Sequence, residues 1–204
     1  MVNKPSTNSN SNFSYAPDGS RERLVLDKYL KILQKYNTPQ GLIRHTLGVY
    51  RVASLLAERV ASQNFRINKN LLLGAALLHD IDKIHVRPGI DLHGVQAVKI
   101  LEKEGIDKKV INLVKNHPAE KILEADFFKL PLEDKILFYA DKRFAQKICS
   151  LKERVSGWRK RYPANESHYS KLLGKMEILE KELLKMANLN NEELDCLLNR
   201  INIK

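Results

Sequence analysis

The longest apolar stretch of the chain runs from Leu71 to Leu78 and ends directly on His79 and Asp80. It is roughly half the length that a bilayer demands, so it reads as a core helix inside a folded domain. A buried carboxylate without a partner is costly, and buried charges are normally paired or bound to metal. Whatever packs around this helix must therefore satisfy an imidazole and a carboxylate at its end.

The rest of the chain repeats the helical pattern. Glycine and proline are few, 9 and 7 in 204 residues, which argues against a turn-rich all-β fold. Leu26, Tyr29, Leu30 and Leu33 share one helical face. After a break at Asn37–Gln40, a second helix is expected from Gln40 to Ser62, with Leu42, Val49, Val52 and Leu56 along one stripe. A third is expected from Asn68 or Asn70 to about Lys83, and a fourth from Asp91 to Gly105. Asp107 opens a fifth, closed by Pro118. A sixth starts at Leu130-Pro131 and carries Leu137, Ala140, Phe144 and Ile148 inward. Past Trp158 and a polar link at 162–165 come two C-terminal helices within 166–204, the second opened by Asn190 with Glu193 in a capping pattern. The expected fold class is all-α. One domain is expected over 21–204, preceded by an Asn- and Ser-rich tail, 1–20, too polar to join a core.

The formal charge is +11. A basic protein attracts anions, but no basic run is interleaved with aromatics as in a nucleic-acid platform. The charge reads first as a solvated surface, with a modest cluster at Arg154, Arg159, Lys160 and Arg161. Cys149 and Cys196 form no CxxC and read as free thiols. The N-terminus lacks the apolar core of a secretory signal, so a soluble cytoplasmic protein is expected.

Several polar residues sit on faces that otherwise look buried. His45 shares a stripe with Leu42 and Val49, and His79 with Leu72, Ala75 and Ala76. Asp141 lies between Leu137 and Phe144 on the apolar side. His93 precedes Ala97 and Ile100 by four and seven, and His117 follows Val110 and Val114 by seven and three. Singly, each has a bland explanation as a hydrogen-bonded core residue. Together, four inward histidines and an inward Asp suit a metal site built between helices. Imidazole plus carboxylate favours Mn, Fe, Co, Ni or Zn, with Mg also compatible.

At this point the sequence resembles a known family. Ala75-Ala-Leu-Leu-His-Asp-Ile-Asp-Lys83 is similar to the A-x-L-L-H-D-I-G-K segment of HD-domain metal-dependent phosphohydrolases. The His45–Ala57 stretch upstream, and the His93-Gly-Val-Gln-Ala-Val-Lys-Ile-Leu and Phe138-Tyr-Ala-Asp-Lys-Arg143 segments downstream, are similar to the family's other segments and stand in its order, over residues 40–148. The resemblance implies a helical bundle with a metal on His45, His79, Asp80 and Asp141. In two-metal members the HD aspartate bridges the ions, and His93 and His117 match the second-ion positions. This chain has Asn116-His117 where such members often carry His-His, so one or two ions are expected. Asp82 stands where the motif has Gly and is expected as a surface carboxylate or one that orients a histidine.

The activity the resemblance implies is hydrolysis of a phosphate ester or anhydride of a small nucleotide by metal-activated water. Asp80 and Lys83 are the expected catalytic residues. Lys83, Lys142 and Arg143 are the expected phosphate contacts. His85 and His168 read as loop and surface. Three other functions fit less of the pattern: a metal- and nucleotide-binding regulatory module, a di-iron oxygenase, and an RNA-associated hydrolase that uses the Arg154–Arg161 cluster. The C-terminal helices either cover the bundle or form a homodimer surface.

Overall fold

A computed structural model describes residues 20–86, 94–162 and 164–200. The expected N-terminal tail, the Asp91 cap and His93 lie outside the described residues. Among the described residues there are nine α-helices and two short 3-10 turns, and strand pairing is limited to one isolated bridge between Phe144 and Ile148. The all-α expectation holds.

The apolar stretch is the hub. Helix α3, Lys69–Leu78, is buried along its whole length from Leu72 to Leu78. It packs against α1 (Ser20–Lys35), α2 (Gln40–Ser62), α5 (Lys108–Asn116) and α6 (Leu132–Arg143). A helix apolar on every side needs neighbours on every side. The short helix α4, Val95–Lys103, leans on α5, while α7 (Leu151–Arg161) and α8 (Glu166–Ala187) pack on each other and on α6. Helix α9, Asn191–Asn199, buries Leu194 and Leu198. No helix among the described residues is long and apolar enough to cross a membrane.

Two expected boundaries are corrected. Helix α3 stops at Leu78, and residues 79–85 form successive turns, with Ile81 donating to Leu78 and Lys83 to Asp80. Asp80 and Asp82 therefore do not stand on a helix, and their relative direction is set by turns. Helix α6 stops at Arg143 rather than running to Ile148. A separate helix, α7, then starts at Ser150, whose hydroxyl accepts from Glu153 N while the Glu153 carboxylate accepts from Ser150 N. That is a complete capping box.

Gly48 decides how closely the end of α6 approaches α2. A Cβ built there would lie 2.1 Å from Cε1 of the Phe144 ring, and that ring is buried and stacked on His45, 6.1 Å between centroids. Gly48→Ala gains helix propensity of about 1 kcal/mol but must push a packed ring and its backbone aside, at about 1–3 kcal/mol. We expect a net loss of about 1 kcal/mol by chemical denaturation. A net gain would show that Phe144 is free to move.

Candidate metal centre

Four elements converge below the end of α3. His45 comes from the first half of α2, His79 is the C-cap of α3, His117 is the C-cap of α5, and Asp141 lies in α6. Asp80, in the turn after α3, completes the group. All five are buried.

The histidines are held in one tautomer. His45 Nδ1 lies 2.8 Å from the Ala145 carbonyl and His79 Nδ1 lies 2.9 Å from the Ala76 carbonyl. His117 Nδ1 likewise meets the Val114 carbonyl. A carbonyl only accepts, so each Nδ1 carries the hydrogen and each Nε2 is turned toward the centre as a donor of electron pairs. This backing is typical of metal-binding histidines.

The donor atoms are close enough to share an ion. His45 Nε2 and His79 Nε2 are 3.2 Å apart. Asp80 Oδ2 is 3.2 Å from His45 Nε2 and 3.3 Å from His79 Nε2, while Asp141 Oδ1 is 3.2 and 3.8 Å from the same atoms. Donors bound about 2.1 Å from one cation sit roughly 3.0–3.4 Å from each other. Two facing lone pairs between two carboxylates repel unless a cation or proton lies among them. The residues present fit a divalent metal, and His45, His79 and Asp141 can hold one. The other oxygen of Asp80, Oδ1, faces His117 Nε2 at 3.6 Å. The two oxygens of Asp80 thus face different histidines, the disposition a bridging ligand has.

Electrostatics agree with that reading. Burial alone lowers the pKa of His45, but hydrogen bonds to Asp141 and Asp80 outweigh it and raise the value from 6.5 to about 9. Burial would raise both carboxylates. Instead His79 and Lys83 hold Asp80 well below its usual range, and Lys142 with His45 does so for Asp141. The pocket is tuned to keep both acids ionised around a positive charge.

The expected phosphate contacts separate. Lys83 Nζ donates to Asp80 Oδ2 at 2.6 Å and its side chain is 41% exposed, so it stands at the edge of the centre. Lys142 is buried; it donates to Asp141 and to the His117 carbonyl and lies 4.4 Å from the Phe138 ring. Burial lowers its pKa, and its place is behind a ligand, away from solvent. Arg143 engages Glu180, Asp195, Tyr139 and the Cys149 carbonyl, tying α6 to α8 and α9.

Other expected residues also find their places. Asn116 turns to Asp134, donating from Nδ2 at 2.8 Å. His85 is exposed against the edge of Tyr36, and His168 packs edge-on to Tyr169. Asp82 is buried, not on the surface. Its Oδ2 accepts from Gly94 N at 2.7 Å and Ala97 N at 3.1 Å, so it caps α4. Carboxylates suit a helix N-terminus because its first N–H groups lack partners.

Arg154 is not the surface cation that the sequence leads one to expect: its Nη2 donates to Asp141 Oδ1 at 3.0 Å. The only local hint is its offset from Trp158: Arg154 lies one turn earlier on the same face as that half-buried indole.

A family model described as HD domain matches residues 42–146. The chain is 31% identical over 156 residues to a tRNA (cytidine(56)-2'-O)-methyltransferase of Thermoplasma volcanium, a match covering 70% of this chain and 44% of that protein. It is 30% identical over 138 residues to the protein of the same name from Picrophilus torridus, covering 62% and 38%. An uncharacterized protein of Methanocaldococcus jannaschii is 26% identical over 161 residues, covering 74% and 94%. No solved structure shows a significant match. This chain spans less than half the length of the two methyltransferases it matches. Their name specifies methylation of RNA, which overturns the expectations of a phosphohydrolase and of a small nucleotide as its substrate. The matched span, more than half of the chain, contains every candidate ligand from His45 to Asp141, and on that match the chain belongs to the HD-domain family.

Proposed function

We propose that this chain is a metal-holding, RNA-facing unit that serves 2'-O-methylation of tRNA. The observation that carries the reading is the likeness to two proteins named as tRNA (cytidine(56)-2'-O)-methyltransferases. In them the shared segment is under half of the length, whereas it fills 94% of the Methanocaldococcus protein. That distribution suits a unit that works beside a methylating domain and is not itself that domain. The charge of +11 suits a polyanionic partner.

In this reading His45, His79, Asp80 and Asp141 hold a divalent ion, and His117 stands ready on the far oxygen of Asp80. When bound, the ion supplies a fixed positive charge that attracts an anionic oxygen of the RNA backbone. Lys83, open to solvent and anchored on Asp80, offers a second charge at the mouth. Lys142 and the Nδ1 carbonyl partners act from behind, fixing the direction of the ligands. Arg154 joins Asp141 to the surface of α7.

The test is binding of a tRNA transcript by fluorescence anisotropy, with chelator-stripped and metal-restored protein. The transcript is expected to bind at least a hundredfold more tightly than a cytidine mononucleotide, to weaken steeply with salt, and to lose about tenfold on chelation. Equal affinity for transcript and mononucleotide would remove the reading. Methyl label passing from S-adenosylmethionine to tRNA with the chain alone would place the methylating machinery inside it instead.

A further inference from the structure

Helix α7 has an unusual composition for a bundle helix. Its eleven residues, LKERVSGWRKR, contain five cations and one acid. That acid, Glu153, is used in the N-terminal cap. Only Leu151 and Val155 are buried, so the helix touches the core through a narrow stripe and leaves most of its surface to solvent.

The cations are not all neutralised within the fold. Arg159 pairs with Glu166. Lys152, Lys160 and Arg161 have no acidic partner among the described residues. Arg161 donates only to the Gly157 carbonyl, at 3.1 Å. Cations at a helix C-terminus do complement its dipole, which accounts for part of the last turn. It does not account for Arg154, two turns earlier.

Arg154, Trp158 and Arg161 follow one another at i, i+4 and i+7, so they share a face. The stripe is about 10 Å long at 1.5 Å per residue. It starts inside the metal centre, where Arg154 meets Asp141 at 3.0 Å. The Arg154 guanidinium lies 5.5 Å from the Trp158 ring centroid, and the Arg161 guanidinium lies 5.9 Å from the Tyr162 ring. Tyr162 is 55% exposed. Cation, aromatic, cation and aromatic alternate from the centre outward, which corrects the expectation that no basic run of the chain is interleaved with aromatics. Phosphates need charges and unstacked bases need flat faces, and proteins that hold single-stranded nucleic acid interleave the two.

We propose that the Arg154–Trp158–Arg161–Tyr162 stripe of α7 is the docking track for an unpaired RNA segment, and that it leads that segment to the metal centre. The inference rests on the RNA-facing reading above and adds the surface, the direction of approach and the single-stranded character of what is bound. Arg161 and Lys160 hold the backbone, Tyr162 and Trp158 stack bases, and Arg154 ends the track beside Asp141, where a bound divalent ion would supply further positive charge.

Trp158 is the one tryptophan of the chain, so its emission reports on this stripe alone. The experiment titrates the metal-loaded chain with a uridine hexanucleotide and with a tRNA transcript, following Trp158 fluorescence and, separately, the anisotropy of labelled RNA. Saturable quenching is expected with both. Arg161→Glu should weaken binding at least tenfold and lower the salt slope by about one or more phosphate contacts. Tyr162→Ala should weaken it about fivefold or more. Lys103→Glu, on α4, changes charge equally and should act less than threefold. Helicity of each variant by circular dichroism must match the parent.

If the parent binds RNA by anisotropy while Trp158 emission stays constant, or if Lys103→Glu weakens binding as much as Arg161→Glu, the docking track is refuted and the RNA-facing reading stands. If the parent binds neither RNA, both fall together.

Discussion

Chelator-stripped protein titrated with zinc or manganese should bind the metal about tenfold more tightly for each pH unit between roughly pH 6.5 and 9, and no more tightly above that. The reason lies in His45. Its Nδ1 is committed to the Ala145 carbonyl, and its Nε2 lies 3.2 Å from both Asp80 and Asp141. Without a cation, a proton on Nε2 takes that place, which is why the pKa stands near 9. An entering metal displaces this proton, so affinity climbs while the proton is present and levels off once it has gone. The same proton gives the stripped protein an opposite trend in stability. A folded-state value raised from 6.5 to about 9 contributes roughly 3 kcal/mol below pH 6.5, and that contribution fades as pH rises through 9. The depressed values of Asp80 and Asp141 act at the acidic end: their contribution is present above the ordinary carboxylate pKa and is lost as pH falls below it. Competition with a chromophoric chelator across this range checks the first trend. A flat profile would mean that the lone pair of His45 does not face the ion.

Arg143→Ala should be the most destabilising single change outside the centre, at about 3–5 kcal/mol. Arg143 is buried and meets four partners: the Cys149 carbonyl at 2.9 Å, Glu180 at 3.1 Å, Asp195, and the Tyr139 hydroxyl. Removal leaves the Tyr139 hydroxyl and the largely buried Glu180 without their cation, although Asp195, 56% exposed, regains water. For a chain of this size the loss corresponds to a fall in Tm of roughly 6–20 °C. Arg143→Lys keeps the charge but not the fork, and should recover less than half of the loss. Thermal melting monitored at 222 nm distinguishes these outcomes. A fall of under 2 °C for the alanine variant would show that α8 and α9 are held by their apolar faces alone.

Residues whose signal is local were readable in the sequence. Helix α2 falls at Gln40–Ser62 as expected, because Pro39 marks its start and the apolar stripe persists for its whole length. Asn190 and Glu193 announced α9 through a capping box. His45, His79 and Asp141 stood out because a polar residue on an apolar face is an exception that spacing alone reveals. The overrun of α3 has a physical cause: Ile81 is fully buried, and periodicity reports burial whether the backbone is helical or turning. The separate helix α7 carries its signal too, in Ser150-x-x-Glu153, but the four-residue spacing of apolar Phe144 and Ile148 also fits a continuation of α6; they pair as an isolated bridge. What spacing cannot show is pairing across the fold. Arg143 meets Glu180 and Asp195, Asn116 meets Asp134 and Arg154 meets Asp141, partners on other helices that neighbouring residues hint at only for Arg154, through Trp158, and for Arg143, through Tyr139.

Asp82 joins the ligand turn to the start of α4, bridging residues twelve and fifteen apart with one carboxylate. Together with the carbonyls behind the histidines, and Lys142 behind Asp141, it keeps the donors assembled by bonds that do not involve an ion. Little ordering entropy then opposes binding, and an ion can leave and be replaced without the helices coming apart. For a divalent ion held at such a preassembled set, the softness and number of the donors, rather than any refolding around it, would govern which ion is favoured.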